Sequence, residues 1–177
     1  FHGLSEEEVA TALVEKGVSP SEAIKTAKLS HGNLNKAFDI VNSTTEEQFF
    51  EPWFVQWVRT AFKAKGNKAS IHGLISWAEE VSKTNRETQK RFVSYCSEVF
   101  RQALLYNFKA KELVDTGLTH EGFKLENFAP FVHENNIEEI FNALETAHYH
   151  IERNGNAKII FTDLSIKLTR LLHQKAK

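Results

Sequence analysis

The sequence repeatedly shows the residue pattern that begins an α-helix, each time ahead of apolar residues at helical spacing. Four Ser/Thr-x-x-Glu segments occur: Ser5 with Glu8, Ser19 with Glu22, Ser43 with Glu46, and Thr84 with Glu87. In this pattern the hydroxyl and the carboxylate bond to each other's free backbone N–H groups. No sustained alternation of β-branched residues indicates a strand. The chain is therefore predicted to be all-α.

A change in apolar content divides the chain into two parts. Residues 4–42 hold three short segments with mostly small apolar side chains, and helices of about ten residues need to pack on one another to be stable. From Phe49 onward a heavy aromatic face appears, with Trp53 and Trp57 one turn apart. We place the boundary near residues 43–48. The sequence predicts a small three-helix domain at 1–45 and a helical bundle at 46–177.

Within the second part, spacing predicts the individual helices. A helix over 70–82 is expected to turn Ile71, Leu74, Ile75, Ala78 and Val81 to the core. A longer helix is expected from Thr84 toward Phe108. Residues 115–122 break the pattern, and Pro130 limits the helicity of the apolar segment after them.

Residues 136–172 form two amphipathic helices joined at Asn154-Gly155-Asn156. The last helix has three apolar residues off its main stripe, namely Ile159, Ile166 and Leu172. A helix that is apolar around more than half its circumference needs cover on two sides. Bundle neighbours could supply that cover, and so could another subunit. Both alternatives stay open.

The joint between these helices is polar, with the string His148 to Asn154 ahead of it and Lys158 after it. Asn154 and Asn156 suit left-handed or turn backbone. Glu152, Arg153 and Lys158 are predicted to pair across the joint. These contacts would explain the cluster as a structural hinge.

Few residues are candidates for catalysis or metal binding. Glu145, His148 and Glu152 lie at i, i+3 and i+7, but a di-metal bundle needs a second Glu-x-x-His motif and none occurs, so no metal is expected. Cys96, Trp53 and Trp57 are expected in the core, and base stacking by these two tryptophans or by Trp77 is not expected. The alternative from another class is a helical metalloenzyme that uses Glu145, His148 and Glu152.

The charge balance and the cysteine content limit the expected binding partners and cellular compartment. With 22 basic and 23 acidic residues the formal net charge is −1, so direct binding to nucleic acid is not expected. A single cysteine fits a reducing cytoplasm. No apolar run is long enough to span a membrane, and no membrane partner is expected.

The ordered residues Ser19-Pro20-Ser21-Glu22-Ala23 and Gly32-Asn33-Leu34 resemble the lid of AAA+ ATPases, a small helical domain. In active members of that family an arginine follows the corresponding leucine and contacts nucleotide phosphate. Here Asn35 occupies that position, and Lys36 beside it points in another direction on the helix. No Gly-x-x-x-x-Gly-Lys-Ser/Thr loop occurs in the chain. No cofactor is therefore expected.

The His148–Asn154 string, with segments 76–80, 101–105 and 128–131, is similar to the collar of bacterial DNA polymerase III clamp-loader subunits. The resemblance covers nearly all of 4–172 and is strongest to bacteroidete sequences. It implies an AAA+ lid followed by a collar domain for oligomerisation. Asn35 favours the delta-prime branch, which does not hydrolyse ATP, over the gamma/tau ATPase subunits, which remain the nearer alternative.

On this resemblance the chain is a cytoplasmic, non-catalytic piece of a DNA-replication assembly. Its partners would be the delta and gamma/tau subunits, with the sliding clamp and primed DNA reached only through the full complex. The nucleotide-binding domain would precede Phe1. The implied interface candidates are Tyr149, His150, Arg153, Asn154 and Lys158.

Overall fold

The computed structural model describes residues 4–108 and 120–176, with the side chains of 43–46 and 121 outside that description. Over these ranges the chain forms nine α-helices and no strand, which confirms the all-α prediction. The helices are α1 (Glu6–Glu15), α2 (Pro20–Ser30), α3 (Leu34–Glu47), α4 (Phe50–Lys63), α5 (Lys68–Ser82), α6 (Arg86–Asn107), α7 (Leu125–Phe128), α8 (Ile137–Glu152) and α9 (Ala157–Leu171). No helix among the described residues is long and apolar enough to cross a membrane.

The helices group into two compact units that divide between Gln48 and Phe49. The first unit holds α1, α2 and α3 around a small core of Val9, Leu13, Ala23, Ala27 and Ala37. Three of these five side chains are alanines, so the helices approach closely but each contact buries little apolar area. At the end of α2, His31 and then Gly32 adopt left-handed backbone.

The start of α1 has the predicted reciprocal cap. The Ser5 hydroxyl accepts from the Glu8 N–H (3.2 Å), and the Glu8 carboxylate accepts from the Ser5 N–H (2.7 Å). These bonds from Ser5, the backbone one first, hold the pKa of Glu8 below its usual value. A lowered pKa means that the stabilisation is present above the ordinary carboxylate pKa and is lost as the pH falls through the lowered one.

We expect Ser5→Ala to destabilise the first unit by about 1 kcal/mol, since it removes this cap. Ser19 is the matched control, because it precedes α2 as N-cap but its side chain makes no capping bond. Ser19→Ala should therefore change the stability little. Amide hydrogen exchange across residues 4–42 measures both variants. Equal effects of the two substitutions would contradict the role given to the Ser5 cap.

Two other predicted helix starts are wrong. Helix α6 is capped by Asn85, whose side-chain oxygen accepts from the Thr88 N–H (2.9 Å), whereas the Thr84 hydroxyl donates back to the Val81 carbonyl (2.7 Å). Asparagine caps at least as well as threonine, so the N-cap moves by one residue, from Thr84 to Asn85, and the helix begins at Arg86. No helix starts after Ser43, because α3 continues through it to Glu47.

The second unit is a bundle in which α4 packs against α5 and α9, while α8 packs against α6 and α9. Its centre is aromatic. Trp57 and Trp77 stack in parallel with ring centroids 5.1 Å apart, and Phe54 and Phe100 meet edge to face at 5.5 Å. All three tryptophans and Cys96 are buried, which confirms the prediction for Trp53, Trp57 and Cys96. Burial raises the pKa of the Cys96 thiol, which keeps it protonated and unreactive.

The segment between α6 and α8 is only partly helical. Of the predicted break at 115–122, residues 115–119 lie outside the described ranges, and His120–Gly122 form a single 3₁₀ turn. Helix α7 has four residues and passes into a second 3₁₀ turn, Ala129–Phe131, which contains Pro130. A proline has no N–H to continue an α-helix, so the predicted limit on helicity is confirmed.

Candidate subunit interface

The joint between α8 and α9 is a compact turn built by its own backbone. Asn154 adopts left-handed backbone with φ of 65°, and the Gly155 N–H reaches back to the His150 carbonyl (2.8 Å). A Cβ on Gly155 would lie 2.8 Å from that carbonyl oxygen, so only glycine fits. Asn156 then caps α9 by accepting from the Ile159 N–H (3.2 Å). Both asparagines therefore serve the turn, as expected.

The predicted charge pairing across the joint is wrong. Lys158 pairs instead with Glu79 on α5, with Nζ and Oε2 3.3 Å apart. The Arg153 guanidinium lies over the Tyr149 ring at 4.5 Å from its centroid. Residues four apart on a helix share a face, so Arg153 reaches Tyr149 more readily than a partner beyond the turn.

All five interface candidates are exposed, and the structure groups them around this turn. Tyr149 is half-exposed and carries Arg153 on one face, while His150 packs edge-on against it with centroids 5.6 Å apart. An aromatic ring beneath a guanidinium at the surface is a combination enriched at protein interfaces.

Beyond the turn, α9 turns apolar side chains to solvent. Ile159 and Ile166 are 66% and 64% exposed, on the side opposite the buried Phe161, Leu164 and Leu168. Leu172, the third residue off the stripe, is buried in the bundle. The bundle thus covers one of the three extra apolar positions and leaves two open.

Two more isoleucines lie nearby on α5. Ile71 and Ile75 are 46% and 38% exposed, which corrects the prediction that they face the core. They precede Glu79 on the same i, i+4 ridge, and Glu79 pairs with Lys158 at the start of α9. The core side of α5 is instead occupied by Leu74, Trp77, Ala78 and Val81.

We call Ile71, Ile75, Ile159 and Ile166 the outer isoleucine face. Sequence reasoning missed its α5 half because it left Trp77 out of the core stripe. With Trp77 included, the core stripe lies at i, i+3, i+4 and i+7 from Leu74, and Ile75 falls off it. Exposed apolar groups that form a contiguous patch mark sites of association, whereas scattered ones need no explanation.

The positions considered for metal or nucleotide chemistry lie on α8 and in the first unit. Among the described residues, no group of three or more His, Cys, Asp or Glu side chains is placed to hold a metal ion, and this includes Glu145, His148 and Glu152. In the first unit Asn35 is exposed near the start of α3. The neighbouring Asn33 side chain accepts from the Lys36 N–H (3.0 Å).

Comparison with known proteins gives no match, whether to a family model, a curated protein or a solved structure.

Proposed function

We propose that this chain is the lid and collar region of a delta-prime-type subunit of the bacterial DNA polymerase III clamp loader. In that role it performs no catalysis of its own. The collar holds a place in the pentamer, and neighbouring gamma/tau subunits bind the ATP that drives loading of the sliding clamp onto primed DNA.

Three features support this proposal. The chain is all-α and divides between Gln48 and Phe49 into a small three-helix unit and a larger bundle, the organisation that the resemblance implies. Asn35, at the position of the lid arginine, has no charge to complement a phosphate. The five interface candidates at the hinge, Tyr149, His150, Arg153, Asn154 and Lys158, are exposed, and the exposed apolar Ile159 follows them directly.

The outer isoleucine face is the observation that carries the proposal. Ile159 and Ile166 are about two-thirds exposed on the outer side of α9. Contact between these apolar side chains and water is unfavourable. A subunit that packed its own collar helix along α9 would remove both side chains from water. Arg153 and Tyr149 at one end of α9 would then form the polar rim of that contact.

Replacing both isoleucines with lysine tests this assignment. Mixed with the collar domains of gamma/tau and delta partner subunits, the full chain should co-elute with them in size-exclusion chromatography at micromolar concentration. The Ile159→Lys, Ile166→Lys variant should lose about 3 kcal/mol of binding free energy or more, roughly a hundredfold in affinity, because two buried apolar contacts become charges. Its co-elution should therefore disappear.

Ile24→Lys is the matched control. Ile24 is 53% exposed on α2 in the first unit, so the substitution makes the same chemical change at a residue that is not part of the outer isoleucine face. This variant should still co-elute. Co-elution that survives in the double variant would remove the face from the interface, and a wild-type chain that never co-elutes would count against the clamp-loader role.

A further inference from the structure

A cavity in the second unit is a further candidate site, and none of the outer isoleucine face residues lines it. This cavity, of about 260 Å³, opens between the C-terminal half of α4 and residues 122–131. Phe123 and Phe128 contribute to its walls and are themselves buried, with ring centroids 5.6 Å apart. The aromatic lining of the cavity is therefore formed by side chains that are already packed in place.

Phe62 completes the aromatic wall and is held from both sides. Its ring meets Phe131 edge-on at 4.8 Å and stacks on the His173 ring at 5.0 Å, with an angle of 13° between the planes. Aromatic pairs in these geometries restrict each other's orientation. Phe62 is nevertheless 43% exposed, so part of its surface remains to be covered.

Three cations line the same cavity. Arg59 and Lys63 lie one turn apart on α4, and Lys124 comes from the opposite wall. No carboxylate among the described residues lines it. Arg59 makes a further interaction within the chain, which leaves Lys63 and Lys124, one on each wall, as the cations to consider.

Helix dipoles explain only part of this charge. Lys63 lies in the last turn of α4, where a cation is favoured. Lys124 precedes α7, whose four residues are too few to build an appreciable helix dipole. A carboxylate bound in the cavity would be attracted to both lysines.

We propose that this cavity binds a small aromatic carboxylate, with the ring against Phe62, Phe123 and Phe128 and the carboxylate between Lys63 and Lys124. A volume near 260 Å³ lies just under the range of about 300–1,000 Å³ that holds drug-sized ligands, so the occupant is a small molecule. Such a site goes beyond the proposed role in subunit assembly and does not depend on it.

Titration of the isotope-labelled full chain with phenylpropionate, followed by NMR, tests the proposal. Amide shifts should concentrate in residues 58–63 and 122–131, with the millimolar affinity usual for a ligand of this size. Phenylpropanol has the same ring and chain without the charge, so it should bind more weakly. Lys63→Gln with Lys124→Gln should weaken phenylpropionate about tenfold and leave phenylpropanol unchanged.

Lys68→Gln with Lys83→Gln is the control pair, since both lysines are exposed and neither lines the cavity. These changes should not alter the affinity. The proposal is overturned if the acid and the alcohol bind wild-type protein equally, if the Lys63 and Lys124 substitutions leave acid binding unchanged, or if the shifts fall outside the cavity. The comparison of acid and alcohol on wild-type protein needs no variant to fold.

Discussion

Asn136→Ala should lower the free energy of unfolding of the second unit by about 3–5 kcal/mol, because three backbone groups would lose their partner in the interior. The Asn136 amide donates to the Phe131 carbonyl (2.9 Å) and to the Leu171 carbonyl (3.0 Å). Its side-chain oxygen accepts from the His133 N–H (2.9 Å). Asn136 is fully buried, so water cannot replace these bonds.

The same three bonds tie together separate parts of the bundle. Phe131 ends the 3₁₀ turn before α8, whereas Leu171 ends α9, which runs back alongside α8. One side chain therefore fixes where α9 ends relative to where α8 begins. We expect the variant to lose protection from hydrogen exchange at both ends together.

The neighbouring residue supplies the control. Asn135 is more exposed and makes one bond at the surface, from its amide to the Lys175 carbonyl (3.2 Å). Asn135→Ala should cost less than about 1 kcal/mol, as surface substitutions usually do. Urea unfolding followed by tryptophan emission measures both, since Trp53, Trp57 and Trp77 all lie in the second unit. A loss for Asn136→Ala no larger than for Asn135→Ala would refute this role.

Local patterns in the sequence were enough to predict that the chain is helical and how some helices begin and are joined. The cap at Ser5 and Glu8 uses atoms three residues apart, and the α8–α9 turn needs only the backbone freedom of Asn154 and Gly155. Such features depend on neighbours along the chain, so a pattern of residue types predicts them. Where two caps compete, as Thr84 and Asn85 do, the pattern alone gives the wrong start.

The sequence patterns did not predict contacts between segments that are far apart in the chain. Asn136 is the N-cap residue of α8, but its side chain makes no capping bond and instead reaches Leu171, 35 residues away. Lys158 was expected to pair within the hinge, yet its partner Glu79 lies on another helix. Helical periodicity gives the faces of one helix but not which neighbour covers each face.

For the candidate interface, too, local features were predicted from the sequence and long-range packing was not. The exposure of the hinge residues followed from their polarity, and Ile159 and Ile166 stood off the apolar stripe in the sequence itself. Whether the bundle covered them depended on the placement of α5 and α8, which no local pattern specifies. The structure leaves both uncovered, and Ile71 and Ile75 are also partly exposed on α5, which packs against α9.

Trp57→Ala should destabilise the second unit by about 3–5 kcal/mol, the usual effect of truncating a large buried aromatic side chain. Trp57 is fully buried and stacks on Trp77 at the centre of the bundle. Its indole N–H donates to the Ser165 hydroxyl on α9 (2.9 Å), which in turn donates to the Phe161 carbonyl (2.7 Å). The substitution removes the stack and the link from α4 to α9 at once.

Trp57→Phe separates these two contributions. It keeps an aromatic ring against Trp77 but removes the donor to Ser165, and Ser165 still donates to Phe161. We therefore expect a smaller loss, about 1–2 kcal/mol, from the hydrogen bond and the reduced ring volume together. If Trp57→Phe were as costly as Trp57→Ala, the hydrogen bond rather than ring packing would dominate.

Phe49→Ala gives the exposed comparison. Phe49 also stacks on a tryptophan, with its centroid 5.9 Å from that of Trp53, but it is 52% exposed. Because water already reaches half of the ring, its removal should cost about 1 kcal/mol or less. Urea unfolding followed by far-ultraviolet circular dichroism avoids depending on the removed tryptophan. A Trp57→Ala variant no less stable than Phe49→Ala would mean that the stacked pair does not hold the centre of the bundle.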